Sequence, residues 1–407
     1  MSSGWQRVAL GDIAVDGPTN GYSPPSSPTA SGTRSLKLSA TTQGRLILDE
    51  DTVKHLHETI SPDSWAWLAP GDLLVQRSNT AELVGTAAIF DGPPNSYIYP
   101  DLMMRLRFAD EATTKWVWRY LNSPLGRRFL RSVAAGAAGS MPKISGAKLR
   151  AMPIPLPSLS EQRRITDMLD KADAIRQKRN EAIALTDDLL RSTFLEIFGD
   201  PVTNPKGWPV LPLGDLAEAA SGVTKGKRYE KQRMVTLPYM RVANVQDGHL
   251  ALDEVKFIDV SEEDGRRYQL RPGDVLLTEG GDPDKLGRGT VWRGEIAECI
   301  HQNHIFRVRP GPQMRSEYLS AIIGSDRGKN YFLRAAKQTT GIATINMTQL
   351  KAFPVLLPPV ELQIEYSAFI DRATAARRTF QQRGDLVDTL FASLVDRAFS
   401  GSLDAAC

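Results

Sequence analysis

The chain repeats itself, and that constrains its fold more than any other feature. Trp5-Gln-Arg-Val-Ala-Leu-Gly-Asp12 returns as Trp208-Pro-Val-Leu-Pro-Leu-Gly-Asp215. Leu36-Lys37-Leu38 returns as Met240-Arg241-Val242, and Pro70-Gly71-Asp72-Leu73-Leu74 as Pro272-Gly273-Asp274-Val275-Leu276. Arg105-Leu106-Arg107 returns as Arg307-Val308-Arg309. Leu149 to Pro157 (LRAMPIPLP) returns as Leu350 to Pro358 (LKAFPVLLP). The offset drifts only from 204 to 201 along the chain. Collinear matches of this kind mean two copies of one folding unit.

Each copy has the same internal order. A segment of mixed pattern ends in a proline-rich stretch, Pro153 to Pro157 or Pro354 to Pro359, and a proline-free stretch follows, Leu159 to Phe198 or Val360 to Phe399. Proline cannot continue a helix but can precede one. Ile165, Leu169, Ala172, Ile175, Ala182, Leu185, Leu189, Thr193 and Ile197 fall at helical steps in the first stretch. Ile370, Ala373, Ala376, Phe380, Val387, Leu390, Leu394 and Ala398 do so in the second. Forty helical residues span about 60 Å. One apolar stripe of that length cannot be buried alone, so the two helices are expected to pair. Gly384 inside the second predicts a weak point or bend.

The expected fold is α+β. Two similar mixed α/β domains are joined by two long helices that pair as an antiparallel coiled coil with pseudo-two-fold symmetry. The boundaries are residues 1–157 and 201–358 for the domains, 158–200 and 359–407 for the helices. Within the domains, Asp72 to Gln76 and Asp274 to Thr278 predict buried strands. Met103 to Phe108 and Ile305 to Arg309 predict exposed edge strands, and Trp116 to Val133 and Ser316 to Ala336 predict amphipathic helices.

Composition narrows the function classes. Hydrophobic residues make up 41% and charged residues 24% of 407, as in a soluble globular protein. Two cysteines, Cys299 and Cys407, make no disulfide framework. The N-terminal residues carry no basic-then-apolar signal and no apolar run reaches the ~20 residues of a membrane span. The expected location is therefore the cytoplasm, with no membrane partner. Net charge is only +3, but residues 160–198 and 361–398 each carry −1 (7 basic against 8 acidic, 5 against 6). The rest of the chain therefore carries +5, mild support for DNA contact by the globular halves.

Motifs for catalysis are lacking. There is no phosphate-binding loop of the Walker type and no Gly-x-Gly-x-x-Gly turn after a strand. Asp91-Gly-Pro-Pro-Asn95 has the wrong spacing for an amino-methyltransferase motif and predicts a turn. Cys299, His301 and His304 cluster, but at no standard zinc spacing, and the first copy has Tyr97, Tyr99 and Leu102 there. No metal is expected. His55-Leu-His57 predicts a solvent-facing alternation, and Gly280 to Asp284 a flexible loop tip. The loops after the paired Pro-Gly-Asp strands differ most: Gln76-Arg77-Ser78-Asn79-Thr80 against Thr278-Glu279-Gly280-Gly281, followed by Lys285 and Arg288. Arg, Asn, Gln and Glu can read base edges, and Ser and Thr can hold phosphates.

At this point the pattern resembles the specificity subunit of type I restriction-modification enzymes. The residues that carry the resemblance are Pro155-Leu-Pro157-Ser-Leu-Ser-Glu161-Gln162-Arg-Arg-Ile165, leading to Phe194-Leu-Glu-Ile-Phe-Gly-Asp200, then Trp208 and Leu213-Gly-Asp215. It covers essentially the whole chain, and in the second copy Leu362 stands where the first has Glu161. The resemblance implies a non-catalytic subunit whose two target-recognition domains each read part of a split, asymmetric site in double-stranded DNA. The helices would dock two methyltransferase subunits, and restriction subunits would join. S-adenosylmethionine would belong to the methyltransferase, and ATP and magnesium to the restriction subunit, with none bound by this chain.

The DNA-contacting candidates are Lys37, Arg77, Ser78, Asn79, Arg105, Lys143, Arg241, Asn244, Glu279, Lys285, Arg288 and Asn303. The candidates for subunit docking are Glu161, Gln162, Ile165, Leu169, Phe194, Phe198, Gln363, Ile370, Phe391 and Phe399. Three alternatives stay open. One is an unusual methyltransferase or nuclease, which would bind adenosylmethionine by itself. Another is a protein scaffold without DNA specificity, which would show no duplex preference. The third is the same architecture in a methylation-only or fused restriction system.

Overall fold

The computed structural model describes residues 5–27, 32–136, 141–229, 232–282, 286–339, 342–400 and 402. The chain divides into two compact units, residues 1–180 with 382–407, and residues 181–381. The boundary between them falls inside the two long helices, which run Leu159–Phe198 and Val360–Ser400. Each unit therefore contains one domain, the start of the helix that leaves it, and the end of the other helix.

In the first unit an antiparallel sheet has the order Ala14–Asn20, Met103–Phe108, Leu73–Gln76, Ala87–Ile89. Pro70-Gly71 turns the chain into the Leu73–Gln76 strand, and Gly71 takes φ +92, a conformation glycine adopts without steric cost. The sheet is covered on both faces. Leu73, Val75, Met104 and Leu106 pack toward Trp116, Val117 and Leu130, while Leu74 and Met103 pack with Leu36, Leu68, Phe90 and Tyr99. Two-sided burial is why Leu73-Leu-Val-Gln reads as an uninterrupted buried run. It also corrects the expectation for Met103–Phe108, which lies inside the sheet because Ala14–Asn20 pairs along its outer side.

The predicted helix over 116–133 is two helices, Glu111–Asn122 and Pro124–Val133. Pro124 ends the first, and Ser123 caps the second by accepting from Gly126 N–H at 3.1 Å. The proline-rich stretch forms a strand, Pro153–Pro155, paired antiparallel with Arg7–Ala9. That pairing ties the start of the domain to the root of its helix.

The second unit repeats this plan: Ala217–Ser221, Ile305–Pro310, Val275–Thr278, Gly289–Val291. Ile305–Pro310 is likewise an interior strand. The predicted helix over 316–336 again divides, into Ser316–Gly324 and Asp326–Ala335. Val210–Pro212 pairs with Pro354–Leu356. Asp91 to Asn95 forms a turn with Asn95 at φ +52.

Within each unit the helix segments run antiparallel. In the first, Ile165 and Leu169 share a core with Val395, Ala398 and Phe399, and farther along Arg176 meets Asp388 at 2.6 Å. In the second, Phe194 and Phe198 pack on Tyr366, and Asp187 meets Arg377 at 3.1 Å. The facing positions follow a heptad, Ile165, Leu169, Arg176 and Arg179 on one helix and Ala398, Phe391, Asp388 and Gly384 on the other. Gly384 introduces no break. It is buried, and a Cβ there would run into the Arg179 guanidinium, which instead reaches Asp388 at 3.1 Å.

Candidate nucleic-acid interface

The sheet framework of each domain is fixed by a matching ion pair. Arg107 binds Asp72 through Nε and Nη2 at 2.5 and 3.0 Å, and Arg309 binds Asp274 in the same way at 2.7 and 2.8 Å. Each carboxylate also accepts a backbone N–H of the Pro-Gly turn, from Ala69 at 2.9 Å and from Arg271 at 2.7 Å. Bidentate guanidinium–carboxylate geometry holds the start of the central strand in place. The loop at the far end of that strand is thereby presented from a rigid base.

In the first domain this loop meets the segment before residue 146. Ser78 forms a bridge with Lys143, and Ala135 pairs with Lys143 as well. Arg77 donates from its N–H to Leu102 O at 2.8 Å and accepts from Ile144 N–H at 2.9 Å. The structure thus brings Arg77, Ser78 and Lys143 together. Lys143 is exposed, Arg77 is half-buried, and neither cationic group has a partner among the described residues. Ser78 is fully buried and its Oγ is unpaired.

In the second domain Gly280–Gly281 pairs with Ala343 and Thr344, so these glycines form a short strand rather than the expected flexible tip. Pro283 to Lys285 lie outside the described residues, and with them the candidate Lys285. Glu279 donates from its N–H to His304 O at 3.0 Å and accepts from Ile345 N–H at 3.0 Å. Its carboxylate lies 2.7 Å from His304 Nδ1, and Asn303 adjoins that ring at 3.5 Å. Asn303 also lines a cleft of about 660 Å³ with Ser221, Thr224, Arg267 and Arg307. Arg288 reaches Gln246 at 3.2 Å.

Several candidates are engaged by other groups of the protein, and for the buried Arg105 and Asn244 this corrects the expectation. Arg105 is buried and donates to Trp65 O at 2.8 Å, Trp67 O at 3.2 Å and Asp16 at 2.9 Å. Its counterpart Arg307 binds Glu218. Asn244 is buried, donating to Ala251 O and Glu254 O and accepting from Arg241 N–H. Asn79 donates to Gln76 at 2.7 Å and accepts from Thr80 N–H at 2.8 Å, so it shapes the loop. Lys37 and Arg241 play equivalent parts, donating to Asp51 O at 3.0 Å and Glu254 O at 3.1 Å.

The cysteine–histidine cluster is dispersed onto separate partners. Burial pushes the Cys299 thiol up to about 12, and Sγ donates to Ile300 O. His301 donates through Nδ1 to Ile305 O at 2.9 Å, its Nε2 is unpaired, and burial lowers its pKa to about 4. Among the described residues no group of three or more His, Cys, Asp or Glu is placed to hold a metal ion. Leu56 is buried between a half-buried His55 and an exposed His57, so only His57 faces solvent freely.

Of the docking candidates on the helices, the buried ones, Gln162, Ile165, Leu169, Phe194, Phe198, Gln363 and Phe399, are corrected more sharply. Ile165, Leu169 and Phe399 are buried in the first domain's core, the Phe399 ring lying tilted at 4.8 Å from Trp116 and edge-on at 5.2 Å from Tyr120. Phe194 and Phe198 are buried against Tyr318, and Ile370 packs beside them. Phe391 lies under the Arg176 guanidinium at 4.4 Å. Gln162 and Gln363 each donate to the proline carbonyl that precedes their helix, Pro157 and Pro358, at 2.9 Å. Glu161 pairs with Arg164 at 2.6 Å. Instead several residues that the helical stripe assigned to the seam are exposed: Ile175 (58%), Leu185 (67%) and Leu189 (51%), and Leu390 on the second helix, where Leu386, outside the stripe, is exposed as well. The seam repeats every 3.5 residues, and counting from Gln162 and Gln363 would have located it.

Among the described residues no helix is long and apolar enough to cross a membrane. The family described as type I restriction modification DNA specificity domain matches residues 2–185 and again 205–383. The EcoKI specificity subunit of Escherichia coli strain K12 is 23% identical over 357 residues, covering 83% of this chain and 76% of that protein. The StySPI specificity subunit of Salmonella potsdam is 22% identical with the same coverage. The S subunit of a type I system from M. genitalium shares the fold, at 11% identity and TM-score 0.57 over 97% of this chain and 96% of that one. A chain from a study of complex assembly and conformational transition of the type I R-M system does so at 19% identity and TM-score 0.53, over 98% and 99%. With both halves matched in the order that the internal repeat requires, the chain belongs to the type I restriction-modification DNA specificity family.

Proposed function

We propose that this chain is the sequence-specificity subunit of a type I restriction-modification complex and performs no catalysis itself. Each domain reads one half of a bipartite, asymmetric site in double-stranded DNA. The observation that carries this reading is the pairing of closely matched frameworks with unlike loop tips: Asp72–Arg107 and Asp274–Arg309 match, while Arg77 and Lys143 have Glu279 and Thr344 as their counterparts at the loop ends. A protein that needed two copies of one site would repeat the tips as well as the base. Unlike tips on like bases suit two different half-sites.

The partners are methyltransferase subunits, two in number, and restriction subunits that join them. Exposed leucines on the helices, Leu185 and Leu189 in one unit and Leu386 and Leu390 in the other, are the docking surface. Adenosylmethionine, ATP and magnesium belong to those partners. The third alternative, a methylation-only or fused system, uses the same surfaces and differs only in which partner genes stand beside this one.

Co-expression with the adjacent methyltransferase gene and sequencing of the modified bases tests the reading. The expected result is one split motif with two unlike halves. A chain that shows no preference for any duplex over scrambled DNA at moderate salt, alone or in complex, contradicts it.

A further inference from the structure

Residues 77 and 279 occupy the same place in two matched backbones. Each is the first residue after its central strand, Leu73–Gln76 or Val275–Thr278. Each donates its N–H to one loop and accepts at its carbonyl from another: Arg77 between Leu102 and Ile144, Glu279 between His304 and Ile345. The partners are themselves counterparts, offset by 202 and 201 residues. With the backbone held on both sides, what differs is the chemistry of the side chain. A guanidinium is a donor only, and an ionised carboxylate is an acceptor only.

Both groups keep capacity for an outside partner. The Arg77 guanidinium has none among the described residues. One carboxylate oxygen of Glu279 takes the His304 ring at 2.7 Å, and the other has no partner among the described residues. A carboxylate beside a polyanion is repelled by the phosphates unless it accepts a hydrogen from a base. In the major groove such donors are exocyclic amino groups, whereas arginine matches the O6 and N7 acceptors of guanine.

We propose that this position selects the class of base edge that each domain reads. Arg77 takes the acceptor edge of a guanine in the first half-site. Glu279 takes an exocyclic amino group, cytosine N4 or adenine N6, in the second. The inference rests on the reading that each domain contacts one half-site.

The test uses the intact complex with its methyltransferase, with the motif determined by sequencing modified bases in a randomised library. Glu279→Arg is expected to shift one position of the second half-site to guanine on the contacted strand, by about 5- to 100-fold in preference, and to leave the first half-site unchanged. A C·G pair inverted to G·C identifies cytosine N4 as the native contact, and adenine replaced by guanine identifies adenine N6. Arg77→Glu is expected to move one position of the first half-site from guanine to an amino-bearing base. Should Glu279→Arg fail to assemble, Glu279→Gln decides, because it keeps the shape and relaxes that single position. A wild-type motif that is bipartite and survives all three substitutions overturns the selector while leaving the two-domain reading intact. A wild-type complex without any half-site preference overturns both.

Discussion

In the first domain Tyr99 is buried with its hydroxyl donating to Thr19 O at 3.1 Å; in the second His301 fills the corresponding place, with one ring nitrogen unpaired. Elsewhere the two domains agree closely. Trp116 Nε1 donates to Pro155 O at 2.7 Å and Tyr318 OH to Leu356 O at 2.9 Å, in each case onto the strand that precedes a long helix. Phe399 and Phe198 then close the two cores from the end of the opposite helix. The difference teaches where divergence is tolerated. Positions that join the sheet to the helices keep their geometry even when the residue changes. Positions that join the sheet to the loops change chemistry.

That comparison can be broken most strongly at the helix ends. Phe399→Ala removes a buried ring from the first domain's core and is expected to cost about 3–5 kcal/mol. Phe198→Ala should do the same to the second. Denaturant unfolding followed by proteolysis of the two units separates the effects. Each substitution should weaken its own unit, and equal loss in both would contradict the division.

The histidine gives an effect of about 3 kcal/mol with a pH signature. Burial holds the His301 pKa near 4 in the folded chain, against about 6.5 when unfolded. Between those values the unfolded chain binds the proton and the folded chain does not. Stability of the second unit is therefore full above pH 6.5 and declines as pH falls toward 4. His301→Tyr, which restores the first domain's residue, should flatten that decline. Unfolding midpoints of the two chains measured from pH 7 to 4.5 check it.

Arg77→Ala is expected to lose about 1–3 kcal/mol of discrimination at one position of the first half-site. Methylated-motif sequencing should show the second half-site unchanged. Lengthening the helices tests the same independence with a smaller energetic effect. The salt bridges Arg176–Asp388 and Asp187–Arg377 fix the register, so an insertion in one helix alone breaks it. Seven residues added after Asn180 and seven after Gln381 preserve the heptad and add about 10 Å. If the helices set the spacing, the spacer grows by about three base pairs at 3.4 Å each, with both halves retained.

The repeat made the architecture legible in the sequence, because collinear motifs at a nearly constant offset mean two copies of one unit. The long helices were legible from the absence of proline between Leu159 and Phe198 and between Val360 and Phe399. Their faces were not. A 3.6-residue count puts Ile175, Leu185 and Leu189 in the seam, whereas the seam follows 3.5 and contains Arg176, Arg179 and Asp388 in its middle. Charged side chains at a helix seam carry no hydrophobic signal. Arg105 and Asn244 misled for a related reason: a polar residue that supports a loop from within has the same letter as one that contacts DNA. Pro124, at the first position of the helix Pro124–Val133, carries a break signal that the expectation of one helix over 116–133 passed over.

The central claim is that two independent domains, each with its own loop tips, read two half-sites. A chain in which residues 208–358 are replaced by residues 5–157 tests it most directly, because the junctions fall at matched motifs. The measurement is the methylated motif of its complex with the methyltransferase. The account predicts a site built from two copies of the first half-site, with the second absent. A motif that still contains the second half-site would contradict it.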